Sequence, residues 1–272
     1  MDKFSSSEFF ISTSRYTFLD ISIASSIAID GYVLDATDAP QAPDPLMSQR
    51  KITVVALWER LRQVRVIHVR GTPASGKSTL ARLLGEFVRA TEPGIPVHLF
   101  TWPCAFPDGL TTLSPYYHML NSIIGRPKML DDWFKMQDTL LIIDEAQESY
   151  KYLNLWNDFL KRLPSRGPMV ALFSSYGSPC WKPLEDLTPI TFHPNQRVSI
   201  RRSPQNPDLA LFFTRAEFDD VVDRFCKYHG ELGQAFILAQ DLKNYIWEFT
   251  SGHPAGVRTI LDGLRTSEVS TG

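Results

Sequence analysis

The run Arg70-Gly71-Thr72-Pro73-Ala74-Ser75-Gly76-Lys77-Ser78-Thr79 carries the spacing G-x-x-x-x-G-K-[ST] without a gap. Two glycines let a loop curl so that successive backbone N–H groups face an anion. Lys77 then reaches the β- and γ-phosphates, and the Ser78 hydroxyl is placed to ligate Mg²⁺. The pattern predicts a nucleoside triphosphate site whose cradle is built by Gly71, Thr72, Pro73, Ala74, Ser75, Gly76, Lys77, Ser78 and Thr79.

Such a site needs a carboxylate to hold the metal ion, and hydrolysis needs a second group to orient the attacking water. Leu140-Leu141-Ile142-Ile143-Asp144-Glu145 offers both. Four apolar residues predict a strand buried on both faces, so Asp144 emerges at its C-terminal end, where open α/β sheets bind ligands. Asp144 is the expected metal ligand beside Ser78. Glu145, on the following turn, is the expected water-orienting base.

The flanking elements fit that use. Val64 to Val69 predicts a buried strand into the loop, and Thr79 to Val88 predicts the helix leaving it, whose N-terminus adds partial positive charge at the phosphates. Further strands are expected at Pro96 to Phe100, Thr139 to Ile143 and Met169 to Phe173, and a fifth from Ile190 to Phe192 or Val198 to Ile200. Helices are expected at Arg50 to Gln63, Ser114 to Ile124 and Tyr150 to Leu163. Strand alternating with helix argues for a parallel sheet covered on both faces. After that, Glu217 to His229, Gln234 to Thr250 and Pro254 to Leu264 predict three helices with no strand between them.

The expected fold class is therefore α/β, a three-layer parallel-sheet core over residues 48–205 followed by a helical C-terminal subdomain over 206–272. Residues 1–47 form an extension that ends in the Pro/Asp-rich stretch Asp35 to Pro45.

The 272 residues suffice for such a core with an appendage, and a formal net charge of −2 gives no bulk signal for nucleic acid. Cys104, Cys180 and Cys226 are widely spaced, which points away from zinc or redox pairs and toward reduced thiols in an intracellular setting. The N-terminus lacks the apolar region of a secretory signal, and no stretch is long and apolar enough to span a bilayer. Phe100-Thr101-Trp102 and Trp133-Phe134 are expected in the core.

The two motifs together resemble the additional-strand class of P-loop ATPases, and within it the AAA+ and STAND groups. That resemblance implies ATP and Mg²⁺ as ligands and a polar sensor residue at the end of the next strand, here Ser174 or Ser175. Many STAND members carry an Arg nearby, and this chain has none until Arg197. Phe249-Thr250-Ser251-Gly252-His253-Pro254 resembles the Gly-x-Pro corner of STAND helical subdomains, which implies that Pro254 packs near the adenine. A helix stop followed by a restart would give the same sequence. Arg201 and Arg202 suit either an arginine finger or a solvated charge pair.

The order of these motifs is similar to the ATPase module of fungal Crinkler-type proteins over about residues 50 to 265. Members usually join that module to another, often nuclease-like. This chain ends shortly after Leu264 and shows no nuclease motif, so it is either a fragmentary member or a module acting alone. The resemblance implies an ATP-driven conformational switch, with self-association or a protein or nucleic-acid partner left open. Two rival functions are a nucleotide-gated scaffold with little hydrolysis and a P-loop kinase.

Overall fold

The computed structural model describes residues 44–102, 130–163, 167–176, 188–204, 209–231 and 237–269, all within the compact unit Gly31–Gly272. The expected N-terminal extension up to residue 43, the helix at 114–124, Cys104 and Cys180 lie outside the described residues.

The first helix, α1 (Lys51–Val64), buries Thr53, Val54, Leu57, Trp58 and Leu61, an i, i+4, i+8 stripe with its neighbours. It ends where Arg65 turns left-handed and its N–H bonds back to the Leu61 carbonyl. Strand β1 (Val66–Gly71) follows, then α2 (Lys77–Thr91), β2 (Val97–Thr101), the short α3 (Leu130–Trp133), β3 (Leu140–Asp144), β4 (Met169–Ser175) and β5 (Arg197–Val198). All pairings are parallel, in the order β2-β3-β4-β1-β5. Every residue of β3 is buried, which is what a strand covered on both faces requires.

Side chains alternate cleanly between the two faces. Ile67, Val69, Leu140, Ile142, Met169, Ala171 and Phe173 pack against α1 and α2. Val66, Leu141, Ile143, Val170 and Leu172 pack on the other side, against Trp133, Phe134, Trp156, Phe159 and Leu163. Trp102, Trp133 and Phe134 are fully buried, as core residues should be.

The fifth strand comes from the second of its two expected segments, as Arg197–Val198 in register with His68 and Val69, while residues 190–192 form no strand. Phe192 serves as packing, its ring 4.9 Å from the His68 ring. Tyr150 to Leu163 is not the single α-helix expected. The chain there makes a 3₁₀ turn at Ala146–Ser149, a π turn at Leu155–Phe159 and a 3₁₀ turn at Leu160–Arg162. Seating the large rings locally outweighs helical regularity: Trp156 Nε1 donates to the Ser149 carbonyl at 3.1 Å while Tyr150 meets the Trp156 ring edge-on.

The C-terminal part is helical: α4 (Arg215–Glu231), α5 (Gln240–Thr250) and α6 (Pro254–Val269), sharing a core of Phe218, Val222, Phe225, Ile246, Val257 and Leu261. Residues 237–239 are not helical, so the second of these helices starts later than expected. Thr214 caps α4 reciprocally with Glu217: Thr214 N–H donates to Glu217 Oε2 at 2.9 Å and Glu217 N–H to Thr214 Oγ1 at 3.0 Å. Glu217 also meets Arg50 at the start of α1, with Nε at 3.4 Å, which ties the helical part to the sheet layer.

The described residues thus form an α/β core with a five-stranded parallel sheet between helical layers, followed by a helical part. With a strand inserted between the loop strand β1 and the Asp-Glu strand β3, this is the P-loop nucleoside triphosphatase fold.

Candidate nucleotide site

Gly71 closes β1 in close quarters: a Cβ there would displace the Ser75 hydroxyl and the Leu211 side chain. The loop then winds around the Thr72 carbonyl, which accepts from Ser75 N–H at 3.3 Å, Ser75 Oγ at 2.7 Å and Lys77 Nζ at 2.9 Å. Ala74 (φ 61°) and Gly76 (φ 87°) are left-handed, which aims the curl. For Ala74 that conformation costs on the order of 1–2 kcal/mol, a strain that such loops hold in place by surrounding contacts. Lys77 opens α2 as a buried residue.

Alternation on β3 sends Asp144 to the α2 side of the sheet, toward Ser78. The Glu145 N–H donates to Asp144 Oδ1 at 3.0 Å. Burial raises the Asp144 pKa above the usual carboxylate value, opposed by the hydrogen bonds from Ser78 and the Glu145 amide. Burial lowers Lys77, and the charges of Glu145 and Asp144 pull it back up. The loop cation and the two carboxylates therefore share one electrostatic neighbourhood. Glu145 itself is left-handed at φ 49°, and its Oε2 accepts from Gln147 Nε2. Gln147 Oε1 in turn accepts from the Ser175 N–H at 2.8 Å.

Ser174 goes elsewhere. It pairs with Arg70 in register, on the face away from α2, and its fully buried hydroxyl stands 2.9 Å from His68 Nε2. The Tyr150 hydroxyl approaches the same nitrogen at 3.3 Å. Burial, with Arg70 and Arg197 nearby, holds His68 down at about 3, so the ring is neutral. Ser175 is the strand-end serine opposite Gly71. Arg201 and Arg202 are both exposed.

Pro254 begins α6 directly against the loop: a Cβ on Gly76 would stand 3.2 Å from its Cγ. The corner before it is anchored by the Phe213 N–H, which donates to the Gly252 carbonyl at 2.9 Å. Gly252 at φ 76° leaves no room for a side chain beside Phe213 O and Trp247.

Gln147, His68 and the Arg50–Glu217 pair were not among the residues expected from the sequence. For Glu217 a signal exists in Thr214-Arg215-Ala216-Glu217, the T-x-x-E pattern of a capping box. A lone Gln two positions past Glu145, or a His in a buried strand, carries no such mark. No helix among the described residues is long and apolar enough to cross a membrane.

No family model and no curated protein matches the sequence. Among solved structures the chain is similar to domain III of the replication initiation protein DnaA from Thermotoga maritima, at 14% identity and TM-score 0.44, over 86% of this chain and 92% of that one. It is also similar to a Walker-type ATPase of Pyrococcus abyssi (16%, TM-score 0.45, over 82% and 72%). A RuvB variant of Thermotoga maritima overlaps less well (13%, TM-score 0.36, over 80% and 62%).

Proposed function

We propose that this protein binds ATP with Mg²⁺ and hydrolyses it, using the helical part to register the nucleotide. The observation that carries the reading is the placement of Asp144 at the end of β3, separated by β4 from β1, whose loop opens into α2 at Lys77 and Ser78. The phosphates would lie over the N-terminus of α2, with Lys77 exchanging the Thr72 carbonyl for phosphate oxygens. One carboxylate and one hydroxyl beside a phosphate cradle suit a small octahedral cation that takes its other ligands from phosphate and water. When bound, Mg²⁺ supplies neutralisation of the phosphate charge. Glu145 would accept a hydrogen bond from the attacking water and align it with the γ-phosphate.

The Gly-His-Pro corner against the loop supports an AAA+ or STAND-like reading, with the adenine near Pro254. The Crinkler-type likeness rests on motif order. Strand-end contact to the γ-phosphate is assigned to Ser175, because the Ser174 hydroxyl is engaged with His68. That same engagement favours a second reading, a nucleotide-gated scaffold whose turnover is slow. Association with another copy, a protein or nucleic acid is a further proposal, checked by mass measurement with and without nucleotide.

Single-turnover hydrolysis by wild type and Glu145→Gln, alongside nucleotide titration, separates the readings. A fall of roughly 100-fold or more in rate with binding retained supports hydrolysis at this site. Binding with equal, near-zero rates for both proteins supports the scaffold. Loss of binding in wild type overturns both.

A further inference from the structure

We propose that Gln147 is the positioning residue for Glu145, tying the water-orienting carboxylate to the end of β4. The proposal rests on the reading of Glu145 given above. Gln147 is buried, and both ends of its carboxamide are engaged: Nε2 donates to Glu145 Oε2, and Oε1 accepts from the Ser175 N–H at 2.8 Å. These partners admit only one orientation of the amide. Flipped, its oxygen would face a carboxylate and its NH₂ would face an N–H, so two contacts would turn repulsive.

The backbone is shaped to make this bridge. Glu145 turns left-handed, and a single 3₁₀ turn, Ala146–Ser149, follows at once, closed by Glu148 N–H to the Glu145 carbonyl at 3.0 Å. The turn swings Gln147 back beneath the carboxylate instead of letting it continue away from the strand. Ser175, the other end of the bridge, is in register with Gly71 at the start of the phosphate loop. A contact path therefore runs from Gly71 through Ser175 and Gln147 to Glu145. The tie holds Glu145 at the site, because its charge is still felt by Lys77. Oε2 is committed to the bridge, and Oε1 is left to the water. Any movement of the β4 end on nucleotide binding is passed directly to the carboxylate.

Two variants separate the ends of the bridge. Gln147→Leu removes both contacts. Gln147→Glu keeps an acceptor for Ser175 but sets a second carboxylate against Glu145. For Gln147→Leu the expected result is a kcat lower by about 10- to 100-fold with KM and nucleotide affinity within about threefold of wild type. For Gln147→Glu, with its like charge against Glu145, kcat falls at least as far while the Ser175 amide exchanges as in wild type. Hydrogen exchange of the Ser175 amide gives a readout independent of turnover: faster in Gln147→Leu, unchanged in Glu145→Gln, which retains an acceptor for Gln147. Wild-type kcat in Gln147→Leu, or a KM that rises in step with the loss of kcat, overturns the positioning role. An unchanged Ser175 amide in Gln147→Leu overturns the bridge. If wild type binds nucleotide but does not turn over, hydrolysis fails as the function, and the amide exchange still decides whether the tie exists.

Discussion

Pro254 and Gly76 face each other so closely that a Cβ on the glycine would stand 3.2 Å from the proline Cγ. One belongs to the turn into α2 and the other to the first residue of α6, so the helical part touches the phosphate loop at the point where α2 begins. A Gly76→Ala change then meets two separate obstacles. The left-handed φ of 87° costs on the order of 1–2 kcal/mol for a residue with a Cβ. Crowding against Pro254 adds to it. Urea midpoints should show Gly76→Ala destabilised, and less so in a Pro254→Ala background, because that change relieves the second obstacle only. Equal penalties in both backgrounds would mean the contact carries no energy.

Lys77 is set between a loop carbonyl and two carboxylates, so its charge is the one most exposed to what the loop binds. Lys77→Ala should weaken nucleotide binding by about 10- to 100-fold, the loss of one charge-assisted hydrogen bond. Asp144→Asn should leave binding without divalent cation nearly unchanged while removing most of the gain on adding Mg²⁺. Titration of a fluorescent nucleotide with and without a chelator reads both. An Asp144→Asn protein that keeps the full Mg²⁺ gain would remove Asp144 from the metal site.

What the sequence made legible follows from where the physical signal is local. The loop announces itself by glycine spacing, and β3 by four apolar residues before Asp144, because a strand buried on both faces admits nothing polar. The register that brings Ser78 to Asp144 was inferable only from motif pairing, since strand order is set by packing across the sheet. Ser174 shows the limit: an end-of-strand serine looks the same on either face, and only alternation from Phe173 onward turns it toward His68. Arg50 and Glu217 stand 167 positions apart and meet through tertiary folding alone. Tyr150 to Leu163 has the apolar spacing of a helix, while seating Trp156 and Phe159 breaks it into irregular turns.

His68 gives the fold a defined acid sensitivity. Its folded-state pKa of about 3 lies below the ordinary 6.5, so the unfolded chain binds the extra proton between those values. Stability contributed by the neutral ring is complete above pH 6.5 and falls by roughly 1.4 kcal/mol per pH unit below it, levelling near 3. His68→Gln keeps a polar group near Ser174 and cannot titrate. Denaturation midpoints between pH 7 and 4.5 should therefore fall more gently for the variant than for wild type. Parallel slopes would show that the His68 ring is reached by water in the folded state.

Arg50 anchors more than an ion pair. Its Nη2 reaches the carbonyls of Ala210 at 3.2 Å and Phe212 at 3.5 Å, flanking Leu211, whose side chain occupies the space a Cβ on Gly71 would need. Glu217 completes the arrangement, accepting from Thr53 Oγ1 at 2.5 Å as well as from Arg50. Removing one charge strands the other in a buried site, at a cost of about 3–5 kcal/mol, whereas removing both leaves no unpaired charge and is much cheaper. Glu217→Gln should thus be strongly destabilising, and Arg50→Met with Glu217→Gln less so than the single changes summed. Because Leu211 is wedged against the loop, the single Glu217→Gln protein should also lose nucleotide affinity below its melting range, and the double variant should regain part of it. Affinity unchanged in a folded Glu217→Gln protein would show that the loop holds its shape without support from the helical part.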